Sequence, residues 1–321
     1  MNEPSILCIG ELLIDFFCTD INTDLAQGQQ FSKQAGGAPA NVCATITTLG
    51  GRSRFLSKVG NDPFGHFLKK TMMDLTIDDS SILLDEHHPT TLAFVSLKED
   101  GERDFVFNRG ADAHLNREEL LESSWRESSI IHFGSATALL DDPFKSAYVS
   151  FIQTVKEAGK FVSFDPNFRS DLWKGRERDF VGLAEHCISQ ADFVKVSEEE
   201  CKIISGFSRL SDGVDYFHRM GARTVAVTLG RKGTLVSNGK ESCIVPSIPV
   251  HSVDSTGAGD AFVGATLHQF NHYGDPKDLL EDFEQLKNVI STSNRVGATV
   301  CTKMGAISAI RELEGRTFHS S

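Results

Sequence analysis

Apolar residues fall along the chain in short, nearly unbroken runs: "SILCIG", "SRFLSKVG", "SSIIHFG", "KFVSFD", "DFVKV" and "TVAVTL". Runs of this kind predict strands covered on both faces, the environment of a parallel sheet. Between them the period lengthens. In "PFKSAYVSFIQTVKEAG", Phe144, Tyr148, Phe151, Ile152 and Val155 recur at three- and four-residue steps, and Gly159 stands where a helix would end. Strands alternating with helices predict an α/β fold, a mostly parallel sheet between layers of helices. No repeat, low-complexity tract or linker interrupts the pattern, so residues 1–321 read as a single domain.

One stretch breaks the rhythm. "TTLAFVSLKEDGERDFVFNRGAD" reads as two strands joined through Asp100-Gly101, a strong hairpin signal. A hairpin does not belong to a run of parallel crossovers. It predicts a small sheet outside the main one, to which "IDFFCTDI" and "QQFSKQAGG" add strands. The plainer alternative is an edge hairpin that extends the main sheet. The functional alternative is a lid over a substrate cleft, formed from about 12–34 and 89–111.

Composition narrows the field of functions. The chain has 321 residues and a net charge of -12, so it lacks the basic surplus with which a general nucleic-acid binder displaces phosphate counterions. No apolar run is long enough to span a bilayer, and "MNEPSILCIG" lacks the basic start of a signal peptide. The seven cysteines show no metal-type spacing and read as free thiols of a reducing compartment, the cytoplasm.

Candidate chemistry concentrates in "DSTGAGDAF", residues 254–262. It lies between "IPVHSV", which reads as sheet-forming, and "DAFVGATLHQF", which reads as a helix. A side-chain-poor turn of Gly257, Ala258 and Gly259 lets an anion approach backbone N–H groups at a helix N-terminus. Asp260 would then sit beside that anion, an unfavourable place for a carboxylate unless it accepts a proton from an attacking hydroxyl. The pattern is that of a phosphoryl-transfer site: an anion hole next to a base. The plain alternative is a tight turn with Asp260 complementing the helix dipole.

A second glycine pair, Gly36-Gly37 in "QAGGAPANVCATITTLGG", opens another helix and sets Asn41 on its first turn, placed to bond a ligand hydroxyl. Asp15, Asp165, Asn167 and Arg169 follow strand-like runs. Ligands of open α/β sheets bind beyond the carboxyl ends of strands.

In this order, "GELLID", "GGAPAN", "VGNDPFG", "FNRGAD", "DPNFR", "VSEEE", "TLGRKG" and "DSTGAGDAF" resemble the ribokinase-like (phosphofructokinase B) carbohydrate kinases from end to end. The resemblance implies a ribokinase-like αβα sandwich with a small β-sheet lid. It also implies ATP-dependent phosphorylation of a sugar hydroxyl with Mg²⁺. It makes Asp260 the catalytic base and Gly257, Ala258 and Gly259 the anion hole. Asp15, Gly36, Gly37 and Asn41 match sugar-binding positions, and Arg109 and Arg169 match contacts to substrate or phosphate. Thr228, Gly230 and Gly233 match the nucleotide loop, and Asn294 an adenine-pocket position. Asp254 and Thr256 fall where many members bind a monovalent cation such as K⁺. Homodimers through the lid are common in the family.

Two departures stand out. Ser197-Glu198-Glu199-Glu200 replaces the usual N-x-x-E, leaving Glu200 as the candidate Mg²⁺ contact through water. The same residues read equally well as a helix N-cap with an acidic first turn. Asn108 occupies a lid position where relatives often carry an aromatic. The "GGAPAN" form points to the fructokinase branch and a neutral ketose. The runner-up is 2-keto-3-deoxygluconate, its carboxylate held by Arg109 and Arg169; a nucleoside acceptor is a further alternative. A dinucleotide oxidoreductase fails for lack of G-x-G-x-x-G after the first strand. A binding module without activity has no use for Asp260.

Overall fold

Each apolar run becomes a strand, within a residue of the expected limits. The computed structural model describes residues 5–20, 22–97, 103–316 and 318. Among these, the main sheet contains β1 (Ser5–Ile9), β4 (Ser53–Gly60), β5 (Ile82–Asp85), β8 (Ser128–Phe133) and β9 (Phe161–Phe164), then β10 (Phe193–Ser197), β11 (Thr224–Thr228), β12 (Thr234–Ser237) and β13 (Ser242–Val245). Their spatial order is β13-β12-β11-β10-β9-β8-β1-β4-β5. All neighbours run parallel except at one edge, where β12 is antiparallel to both β11 and β13.

Alternate residues of β1 explain the layering. Ile6 and Cys8 pack into one core with the Ala38–Thr48, Ala258–His272 and Phe283–Val300 helices. Leu7 and Ile9 pack into the other, with the Phe144–Glu157, Glu177–Gln190 and Leu210–Met220 helices. Both faces of the sheet are thus dry, which is why its strands read as continuous apolar runs. The expected helix spans Phe144–Glu157 and buries all five residues of its predicted stripe.

The exceptional stretch forms its own sheet, as the hairpin signal predicts. β2 (Leu13–Cys18), β3 (Phe31–Gly36), β6 (Leu92–Leu97) and β7 (Arg103–Asn108) lie in the order β3-β2-β6-β7. The β2–β6 pair is parallel, whereas the two flanking pairs are antiparallel. The Asp100-Gly101 turn lies outside the described residues. Register sets two faces. Asp15, Ala93 and Phe107 align on one, while Phe16, Phe94 and Val106 align on the other.

"IPVHSV" is not a strand, contrary to expectation. Residues 248–253 form a loop after β13, with Ile248 and Val253 partly exposed and the Val253 N–H bonded to the Cys301 carbonyl. Its apolar residues imitate a strand, but no neighbouring strand pairs with it among the described residues. Among those residues no helix is long and apolar enough to cross a membrane.

Candidate active site

The chain leaves β1 toward β4 on one side and returns to β8 on the other, so strand order reverses between β1 and β8. A crevice at such a switch point is where open α/β sheets bind ligands. Glu11, just beyond β1, and Ser135, just beyond β8, meet there, Ser135 Oγ donating to Glu11 Oε2 at 2.5 Å. Glu11 Oε1 also accepts from the Ala38 N–H at 3.1 Å, which ties the crevice to the Ala38–Thr48 helix.

Above this crevice lies a cavity of about 500 Å³, roofed by the smaller sheet. Asp15, Phe17, Ala93, Val95, Phe105 and Phe107 contribute the roof, all from the face on which Asp15, Ala93 and Phe107 align. Two roof aromatics flank the exposed position 106, so the aromatic missing at Asn108 is supplied nearby in the strand. The floor holds Gly37, Asn41, Asn167, Arg169, Lys195, Glu200 and the Gly257–Asp260 turn.

Gly257 caps the Ala258–His272 helix with φ +77°, a left-handed conformation, and a Cβ there would meet that of Ala306 at 2.6 Å. The turn aims Asp260 into the cavity, where its Oδ2 accepts from Asn41 Nδ2 at 2.8 Å. Burial raises the Asp260 pKa to about 6, against the lowering effects of the Asn41 hydrogen bond and the Arg169 charge. Such a group is ionised at neutral pH yet basic enough to take a proton. Asn41 Oδ1 is buried with no hydrogen-bond partner among the described residues, an acceptor available to a ligand hydroxyl. Burial, then the nearby Glu11, raises the Asp15 pKa to about 7. Gly36 does not line the cavity. It packs against Asp15, whose Oδ2 would lie 2.0 Å from a Cβ at position 36.

Glu200 sits at the start of the Glu198–Ser205 helix in a capping box with Ser197, so the capping alternative holds. Its carboxylate also accepts from the Phe168 N–H at 2.7 Å and still faces the cavity. Arg169 lines the cavity but Arg109 does not. Arg109 is drawn to Asp112 (3.3 Å), Asp141 (3.4 Å) and the Thr137 carbonyl (2.8 Å).

A second cavity of about 540 Å³ lies beyond the carboxyl end of β11. Thr228, Gly230, Gly233 and Asn294 line it together with Ile248, Pro249, Phe262 and Ala298. Asn294 anchors its wall, accepting from Thr234 Oγ1 at 2.7 Å and donating to the Val245 carbonyl at 3.0 Å. Ser255 and Gly259 border both cavities. Asp254 secures the loop before the turn, accepting from the Thr256 N–H and hydroxyl and from the Gly305 N–H. A wider hollow of about 940 Å³ lies at the opposite, amino-terminal ends of β1 and β4, where Arg54 and Asp78 neutralise each other at 2.9 Å.

Sequence reasoning missed Glu11 and Lys195. Glu11 carried a signal, since it lies two residues beyond the first strand, much as Asp165 follows β9. Lys195 carried a weaker one, a lone cation inside "DFVKV". Burial raises the Glu11 pKa. Burial opposes the charge on Lys195, but Asp165, 2.9 Å away, Glu200 and Asp260 outweigh it and raise its pKa.

Comparison with known proteins shows what the whole chain is similar to. The profile of the pfkB family carbohydrate kinases matches residues 3–313. A rice (Oryza sativa subsp. japonica) protein named fructokinase-1 is 39% identical over 95% of this chain and 94% of its own. A crystal structure of fructokinase from Xylella fastidiosa with bound ATP superposes with a TM-score of 0.87 at 30% identity, covering 96% of this chain and 95% of the other. One of fructokinase from Vibrio cholerae O395, with fructose, ADP and calcium ion bound, gives 0.83 at 31% identity, covering 96% of each chain.

Proposed function

The chain belongs to the pfkB family of carbohydrate kinases, and from that premise we propose that it is a fructokinase, transferring the terminal phosphoryl group of ATP to D-fructose to give fructose 6-phosphate and ADP. One observation carries the site assignment: two cavities of ligand size share the Gly257–Gly259 turn, and Asp260 stands on the side of only one of them. The cavity at β11 takes ATP and the roofed cavity takes the sugar.

Fructose lies under the smaller sheet, which serves as lid, with hydroxyls on Asp15 and Asn41. Asp260 accepts the proton of the attacking hydroxyl while that oxygen forms its bond to the γ-phosphorus. The bond to the β–γ bridging oxygen breaks, and ADP leaves with the electron pair. The Gly257 and Gly259 N–H groups stabilise charge on the moving group, while the Ala258 N–H holds the turn through the Ser255 carbonyl; such help is present before the reaction and costs no reorganisation. Gly37 lines the sugar cavity, and its missing side chain lets the turn pack on the Glu11 carbonyl, which a Cβ would meet at 2.3 Å.

Mg²⁺ would arrive on the nucleotide phosphates. Among the described residues no cluster of three ligating side chains forms a closed metal cage. The donor set nonetheless fits Mg²⁺, which keeps several waters and needs only one or two carboxylates; Glu200 and Glu199 line the acceptor cavity. When bound, the ion neutralises phosphate charge. Asp254 and Thr256 are our candidates for a monovalent cation beside the turn.

A neutral ketose is favoured over 2-keto-3-deoxygluconate because only one of the two arginines needed for a carboxylate fork lines the cavity. All seven cysteines are free, as suits the cytoplasm. Dimerisation through the lid would cover Phe31 and Val106, both exposed on it. The test is ADP release with fructose, ribose, adenosine, 2-keto-3-deoxygluconate and fructose 6-phosphate as acceptors. The highest kcat/KM is expected with fructose; a preference for any other acceptor overturns the substrate assignment.

A further inference from the structure

We propose that Lys195 is a further catalytic residue, an ammonium that receives the phosphoryl group as it crosses the Gly257–Gly259 turn toward the sugar. The proposal deepens the kinase reading above and rests on it. Its starting point is charge. The acceptor cavity is walled by six carboxylates, Glu11, Asp15, Asp171, Glu199, Glu200 and Asp260, yet must admit an anion. Among the described residues two lining side chains are cationic, those of Arg169 and Lys195. Arg169 is exposed at the cavity rim, whereas Lys195 is buried on β10 beneath the turn.

Position singles out Lys195. Its Nζ would lie 3.2 Å from a Cβ at position 259, so the ammonium is packed against the glycine that borders both cavities. Any group poised over Gly259 on the acceptor side is within reach of that charge. Among the described residues the ammonium has one hydrogen-bond partner, Asp165 Oδ2 at 2.9 Å. An ammonium carries three donors, so two remain for phosphoryl oxygens. Asp165 fixes the direction of the side chain, and Asn167 N–H holds Asp165 Oδ1 in turn at 3.1 Å.

Lys195 lines the acceptor cavity and not the nucleotide cavity. Its contribution therefore grows as the phosphorus leaves ADP and approaches the sugar oxygen. Interactions stronger in the transition state than in the ground state raise turnover and not ground-state affinity. Lys195 gives up no proton in the step: the hydroxyl proton goes to Asp260, and the ammonium only neutralises oxygen charge.

The competing role is structural, a counter-ion that makes the buried Asp165 tolerable. Three variants separate the two: K195M, K195R and the double variant K195M/D165N. The expected result is a loss in kcat of about 10²–10³-fold in K195M, the scale seen on removing one preorganised donor. ATP Kd by titration calorimetry stays within about threefold of wild type, and K195R recovers part of the loss. The double variant stays as slow as K195M, because neutralising Asp165 does not replace the cation. Recovery of turnover in the double variant, or K195M turnover within threefold of wild type, overturns the proposal. K195Q, which can still bond Asp165, replaces K195M if the latter fails to fold. If neither shows a cooperative unfolding transition, Lys195 is a structural counter-ion and the proposal falls. A wild-type protein inactive on every acceptor would instead remove the kinase reading, and this inference with it.

Discussion

The two cavities are nearly equal in volume, about 500 and 540 Å³, and opposite in character. Among the described residues the acceptor cavity has eight charged ones in its lining, six of them carboxylates. The nucleotide cavity has one, Arg231, amid Ile248, Pro249, Val250, Phe262 and Ala298. Charge is thus concentrated where the proposed assignment puts the proton and phosphoryl transfer, while the wall that would hold a nucleotide base is mainly apolar. The contrast follows from topology. The acceptor cavity gathers the polar ends of β1, β8, β9 and β10, and the nucleotide cavity forms at the antiparallel edge between the β13 loop and the Phe283–Val300 helix. Substitutions on the two sides should therefore fail in different kinetic parameters.

The largest effect is expected from Asp260→Asn. The amide oxygen can still accept from Asn41 Nδ2, so the fold is kept while the base is lost. General-base catalysis is worth roughly 10²–10⁴-fold, and kcat should fall by that factor with ATP Kd unchanged. In the wild-type enzyme the same group sets the acid side of the pH profile. Asp260 must be deprotonated to act, so kcat/KM should drop about tenfold per pH unit below its pKa of about 6. Wild-type turnover in the variant would remove Asp260 from the chemistry and with it the distinction between the cavities.

This half of the site was legible because its chemistry needs rare local sequence. A Gly-Ala-Gly turn between two aspartates has few reasons to exist, and Asn41 follows a glycine pair. Two kinds of information were not legible. Direction is one: sequence supplies the reach of Arg109, but Asp112, Asp141 and the Thr137 carbonyl decide where it points. Context is the other: Lys195 becomes conspicuous only once β10 is seen to end under the turn. The loop at 248–253 shows a third difficulty. Its apolar residues serve a cavity wall, whereas those of a paired segment such as β2 serve a sheet.

Arg169→Ala tests whether the rim charge belongs to the acceptor side. A lost charged hydrogen bond of about 1.5–3 kcal/mol predicts a fructose KM raised, or kcat/KM lowered, by roughly tenfold or more, with ATP Kd unmoved. Arg169 also lowers the pKa values of Asp15 and Asp260. Its removal should therefore shift the acid limb to higher pH. An unshifted limb with wild-type kinetics would make Arg169 a surface residue.

Ala298→Phe is the converse test. The added ring occupies the mainly apolar cavity lined by Phe262, with no charge altered. ATP KM should rise roughly tenfold, equivalent to about 1.4 kcal/mol, while fructose KM and the pH profile stay as they are. If fructose KM rises equally, the two cavities are one coupled pocket, and their contrast says nothing about division of labour.

The smallest effect is on stability, and it exposes the cost of a charged cavity. Burial and the neighbouring Glu11 raise the Asp15 pKa to about 7, so the folded protein holds that proton more tightly than the unfolded chain, where the group has its ordinary value of 3.8. Between those two values the folded state binds more protons, and stability falls as pH rises. Below about pH 4 the group is protonated in both states and costs nothing. Above about pH 7 it is ionised in both, and the full penalty is present. Asp15→Asn removes this titration, so the Tm of the variant relative to wild type should climb between pH 4 and pH 8. The climb should be several degrees at most, since 1 kcal/mol moves Tm by less than about 2 °C in a chain of 321 residues. The same variant should bind fructose more weakly, which separates a residue kept for binding at the expense of stability from one that merely packs. A Tm difference that is flat with pH would mean that water reaches Asp15 freely and that the roof does not isolate the sugar.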